Sequence, residues 1–149
     1  MGGAATSPVS SSAGPPPAFA PEPVPAPVAT AVSPSAYAAL PFTIEVPPGF
    51  VLLASRPGPN FQEYAVARNG QSFARIYVGP SSQFPIYTGD VVEAGGRASL
   101  VTSDGVTRHA LEHLFQRATA PREIHVWTSS LEPADQALAE RIAGSLDVK

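Results

Sequence analysis

His109, His113 and His125 are the only imidazoles in a 149-residue chain that has no cysteine. On a helix, His109 and His113 would share a face at i,i+4 and could bind zinc; on a strand they also share a face, but further apart. A third ligand would have to come from His125, Glu123 or a distant carboxylate. The intervening Ala110-Leu111-Glu112 is not the HExxH arrangement, and histidines of this kind more often serve as surface or hydrogen-bonded structural groups. Thiolate metal sites, disulfides and cysteine nucleophiles are excluded outright. The chain also lacks a Gly-x-Ser-x-Gly elbow, a GxGxxG turn, a Walker-type loop and a calcium-loop pattern, so neither an exposed serine nucleophile nor a phosphate cradle is indicated. Asp90 and Glu93 flank a predicted turn and read as solvated. No residue is assigned a catalytic role, and no cofactor is implied.

A different chemistry, recognition, is suggested by Tyr64, Phe73, Arg75 and Tyr77. Aromatic rings beside an arginine are the side chains that anchor interfaces, because they contribute large area at low entropic cost. The competing reading is a second core layer under Trp127 or Phe50, with Arg75 reaching to water. The segment 79–89, GPSSQFPIYTG, brings Phe84, Pro85, Ile86 and Tyr87 directly after these residues and could line the same patch.

The elements that must position these groups follow from hydrophobic period and turn chemistry. Residues 42–46 and 50–55 form two short strands separated by Pro47-Pro48-Gly49. Asn69-Gly70 lies between strands 61–68 and 71–78 and is the strongest short-range hairpin signal. Counting outward from this turn places Arg68 opposite Gln71, Val66 opposite Phe73, Tyr64 opposite Arg75 and Gln62 opposite Tyr77, which puts the aromatic set on one face. Residues 90–94 and 97–103 pair through Gly95-Gly96. Asp104-Gly105 starts another hairpin, setting Leu100 opposite His109 and Arg97 opposite Glu112. The stretch 106–118 fits both strand and helix, and strand through about 114 is the better reading because a DG turn precedes it. Residues 122–130 form the last strand. A C-terminal helix starts near Pro133, with Leu138, Ile142 and Leu146 on one stripe. The expected fold is α+β: an antiparallel β-meander sheet packed by a C-terminal α-helix.

Residues 1–41 are of another kind, with ten prolines and a single charge, Glu22. Proline fixes φ and extends the residue before it, so the leader is expected to be a disordered, semi-rigid polyproline spacer, able to hold residues 42–149 about 40 Å from an attachment point. An SH3 or WW groove would want a basic residue or a PPxY tyrosine beside the proline core, and neither is present. Met1-Gly2 with Thr6 fits the loose myristoylation pattern, which also arises by chance. The net charge of −3 carries no run of one sign, so neither nucleic acid nor an anionic membrane is the implied partner. No apolar stretch is long enough to span a bilayer.

The marks FTIEVPPGF, the Asn69-Gly70 hairpin and LAERIAGSL together resemble small bacterial secreted or lipoprotein-associated domains of the PsbP-like kind. That resemblance implies an antiparallel sheet packed by a C-terminal helix; the helix such domains generally carry between early and late strands is not evident in 79–96. The leader likewise resembles, in composition, the start of a mature envelope lipoprotein whose anchor lies outside the chain. The functional expectation is a non-enzymatic binding or assembly module, extracytoplasmic or envelope-tethered, engaging a protein partner through Tyr64, Phe73, Arg75, Tyr77 and Tyr87. The alternatives are a small metal-dependent enzyme using His109, His113 and His125, and a cytoplasmic domain with an incidental tail.

Overall fold

The computed structural model describes residues 30–55, 58, 60–129 and 132–149; the leader up to residue 29 lies outside them. The first described residues already belong to the fold. Strand β1 (Thr30–Ala31) is followed by a short helix α1 (Pro34–Ala38), whose Ser33 Oγ accepts the Ala36 amide at 3.2 Å, and by β2 (Phe42–Thr43). Tyr37 Oη donates to the Ile44 carbonyl at 2.9 Å and accepts the Ile44 amide at 3.0 Å, while Leu40 is buried. The folded unit therefore takes in residues 30–41, which composition had assigned to the spacer. Val32, Tyr37 and Leu40 supply apolar side chains within an otherwise Pro/Ala/Ser stretch. The strand expected over 42–46 shortens to two residues because the Tyr37 hydroxyl occupies both backbone groups of Ile44.

The remaining elements are β3 (Val51–Ala54), β4 (Gln62–Arg68), β5 (Gln71–Gly79), β6 (Asp90–Ala94), β7 (Arg97–Asp104), β8 (Thr107–Gln116), β9 (Glu123–Thr128), α2 (Pro133–Gly144) and β10 (Asp147–Val148). Eight strands form one sheet in the order β1-β3-β4-β5-β9-β8-β7-β6, antiparallel throughout, and β10 pairs with β2. Two meanders, β3-β4-β5 and β6-β7-β8-β9, are thus joined where β5 pairs with β9. This arrangement forces one connection to do something other than turn. Residues 80–89 must carry the chain from β5 to β6, four strand spacings or about 19 Å away, across a face of the sheet.

The other face is the core. It carries Val66, Ala74, Ile76, Val78, Phe115, Ile124 and Val126 against Ala139, Ile142 and Ala143 of α2 and Leu146 beyond it. Pro133 begins α2, and Asp135 in its first turn pairs with Arg68 at 3.6 Å, complementing the positive end of the helix dipole.

Both hairpin registers differ from those counted outward from the turns. Asn69 and Gly70 have φ of 52° and 79°, the signs a type I′ turn needs, and Arg68 does face Gln71. After Ala67↔Ser72, however, the next pair is Val66↔Ala74. Phe73 is an additional residue on β5, so every partner beyond it moves by one, giving Tyr64↔Ile76 and Glu63↔Tyr77. In the second hairpin Asp104 pairs with Thr107, so Gly105 and Val106 form the turn, with Gly105 at φ 64°. A further irregularity at Leu100/Val101 then sets Leu100 opposite Glu112 and Arg97 opposite Phe115. The expected Arg97–Glu112 and Leu100–His109 pairs do not form. The stretch that fitted both periods is strand from Thr107 to Gln116.

Candidate functional site

The bulge at Phe73 divides the five binding candidates between the two faces. Tyr64 lies on the core side, half-buried, its ring 5.6 Å from that of Phe42, and burial pushes its phenol above the ordinary value. Phe73 is fully buried edge-on to Phe50 at 4.8 Å, with the Arg68 guanidinium carbon 4.9 Å from its ring centroid. Arg75 and Tyr77 remain on the opposite face, in register with Trp127 and His125. Tyr87 reaches the structure through the 80–89 strap, where its hydroxyl donates to the Thr128 carbonyl at 2.6 Å.

The strap is fixed by carboxylates that rise from the sheet. Glu112, fully buried at 0 % exposure, accepts the Ile86 amide at 2.8 Å and the Tyr87 amide at 2.6 Å through Oε2, and faces His125 Nε2 at 2.7 Å through Oε1. Burial alone would raise its pKa, but the hydrogen bonds from His125 and the two amides outweigh that and hold it below the ordinary carboxylate value. An ionised carboxylate only accepts, so the proton between the two side chains sits on His125 Nε2. Glu123 repeats the device further along, accepting the Ser82 amide at 2.7 Å; burial pushes its pKa up, and bonds from Ser82 and Gln116 bring it below normal. Ser81 donates its amide to Tyr77 Oη at 3.2 Å, and Phe84 stands edge-on to His125 with ring centroids 5.4 Å apart. Six contacts along the seven residues 81–87 make the strap a fixed wall.

Between this wall and the strands lies a cleft of about 460 Å³, lined by Phe61, Glu63, Tyr77, Ile86, His125 and Trp127 together with strap residues 81–83. Phe61 and Tyr77 stack at 5.7 Å and 24°, and His125 and Trp127 lie 4.8 Å apart. Gly79 makes the stack possible: a Cβ there would fall 2.5 Å from Tyr77 Oη and 2.8 Å from Phe61 Cβ.

The three histidines take separate partners. His125 binds Glu112 on the strap face. His113, in register with Val126 on the core face, meets Ser99 Oγ through Nδ1 at 2.7 Å, while its buried Nε2 has no partner. His109 Nδ1 pairs with Glu140 of α2 at 2.7 Å. Among the described residues no three His, Asp or Glu side chains converge on a point where they could hold a metal ion. His125 hydrogen-bonds to Glu112, and through that carboxylate the pair anchors the strap amides of Ile86 and Tyr87.

Sequence reasoning missed Phe61, Glu63, Glu112 and the opening beside Trp127. One signal was available. Ile124, Val126 and Thr128 alternate toward the core, which leaves His125 and Trp127 together on the other face. Comparison of the chain with protein-family models, with curated proteins and with solved structures finds no match.

Proposed function

We propose that this chain is a non-enzymatic binding or assembly module that engages a partner protein through the strap-side cleft. The observation that carries the reading is the cleft's preorganisation. Phe61, Tyr77 and Trp127 present aromatic surface against a wall fixed by Glu112, Glu123 and Tyr87, so docking would order little that is not already ordered. Relative to the surface expected from sequence, Arg75, Tyr77 and Tyr87 stay in the reading, Trp127 and Phe61 join it, and Tyr64 and Phe73 leave it for the core.

The Pro/Ala leader supports an extracytoplasmic, envelope-tethered setting in which the domain stands off an anchor, and the PsbP-like resemblance belongs to the same proposal. No helix among the described residues is long and apolar enough to cross a membrane.

Capture from an envelope extract with immobilised wild-type chain, Trp127→Ala and Tyr77→Ala tests the assignment. A partner retained by the wild type and lost by both variants is expected. Capture indifferent to both substitutions sinks it, as does stoichiometric zinc that disappears on His109→Ala, which would favour the metal-dependent alternative.

A further inference from the structure

We infer that the strap-side cleft receives a cationic group, an ammonium or guanidinium such as ends a lysine or arginine side chain; the inference rests on that cleft being the binding surface. Its lining contains one carboxylate, Glu63, and neither lysine nor arginine. Glu63 sits opposite Tyr77 across β4 and β5, is half-buried, and forms no ion pair among the described residues. A partly desolvated carboxylate with no ion-pair partner among the described residues favours a positive charge brought beside it, and the surrounding protein attenuates that attraction less than water would.

The aromatic lining favours the same ligand. Trp127, Tyr77 and Phe61 line one cleft, and the negative face of an aromatic ring attracts a cation while offering an anion nothing. The floor adds to this field. Glu112 beneath His125 and Glu123 at the Ser82 amide are carboxylates held by backbone donors, and the only guanidinium set on this face of β5, Arg75, is exposed and outside the cleft lining. The hydrophobic rims of Ile86 and Phe61 then suit the methylene stem that carries such a charge.

Trp127 is the only tryptophan of the chain, so intrinsic fluorescence reports on the cleft directly. The full chain is titrated with Nα-acetyl-lysine methylamide, Nα-acetyl-arginine methylamide, tetramethylammonium and the neutral isostere Nα-acetyl-norleucine methylamide. Expected is a saturable change with at least one cation, at least about fivefold tighter than with the norleucine compound. Glu63→Gln should weaken it about threefold and added salt should weaken it further. A lysine or arginine amide binding where tetramethylammonium does not assigns a side chain of a partner protein; the reverse assigns a free quaternary ammonium. Norleucine amide matching the cations within twofold overturns the charge preference and leaves the cleft a binding surface of apolar character. Absence of saturation by every cation in folded protein overturns the inference, whereas failure of the binding reading itself appears in capture that ignores both Trp127→Ala and Tyr77→Ala.

Discussion

Acidification from pH 7.5 to 4 should destabilise the domain by about 3 kcal/mol through His113 alone. This side chain is 4 % exposed on the core face of β8, and its Nε2 looks toward α2, where a Cβ on Gly144 would stand 3.8 Å away. Burial first, and then the positive charge of Arg97, oppose its protonation; Glu112 offsets part of this, and the imidazole is pushed from 6.5 to about 4. Because the folded value is the lower one, the unfolded chain takes up a proton first as pH falls. Stability is complete above 6.5, declines between 6.5 and about 4, and is level in this respect below that. At about 1.36 kcal/mol per unit the interval corresponds to roughly 3 kcal/mol, a substantial part of the 5–15 kcal/mol typical of a domain. Urea unfolding at half-unit pH steps measures the slope. The double variant His113→Leu/Ser99→Ala removes both members of the hydrogen bond, so the difference between the two slopes isolates His113. Loss through Glu112 and Glu123, whose values are lowered, falls at lower pH, below their ordinary 4.5. A His113 ring titrating near 6.5 in folded protein by carbon-detected NMR, or an unchanged slope in the double variant, would refute the reasoning.

Glu112→Gln should cost about 2–4 kcal/mol, because one amide oxygen cannot replace a carboxylate that accepts from His125, Ile86 and Tyr87; hydrogen exchange at the Ile86 and Tyr87 amides should accelerate well beyond the global change. Gly79→Ala should destabilise by about 1–3 kcal/mol and displace the Tyr77 ring, since the new methyl has no room beside Tyr77 Oη and Phe61 Cβ; denaturant midpoints and the Tyr77 ring resonances check it. Ile142→Ala, at a fully buried position of α2, should cost about 2–5 kcal/mol in the same unfolding assay.

The outline of this fold was legible because it depends on periods and turns. Asn69-Gly70 announced its hairpin turn, and Leu138 and Ile142 announced α2, which ends at Gly144 and leaves Leu146 just beyond it; both elements form where expected, although the hairpin's register is shifted. Registers were less legible, since a bulge leaves almost no trace in one sequence. Phe73 is an apolar residue in an apolar strand whether or not it is the additional one, yet that single residue decides whether Tyr64 joins Tyr77 on one face or packs against Phe42 on the other. The same applies at Leu100/Val101, where a second irregularity separates Arg97 from Glu112. Counting from a turn assumes a regular ladder, and each irregularity inverts the facing of everything beyond it.

The cleft was hidden for a different reason, the strand order. Once β9 inserts between β5 and β8, residues 80–89 can no longer be a hairpin loop and have to cross the sheet. A backbone laid over a sheet buries amides that no ladder satisfies, so acceptors must rise from the strands beneath. That requirement accounts for Glu112, a charge in the middle of a buried strand, and for Glu123, each of which accepts strap amides. Glu112 in turn needs a donor on its remaining side, which His125 supplies from the adjacent strand. The histidine that on sequence alone suggested metal chemistry is therefore explained by the connection between β5 and β6. The aromatic side chains left between strap and strands form the surface that a partner would meet.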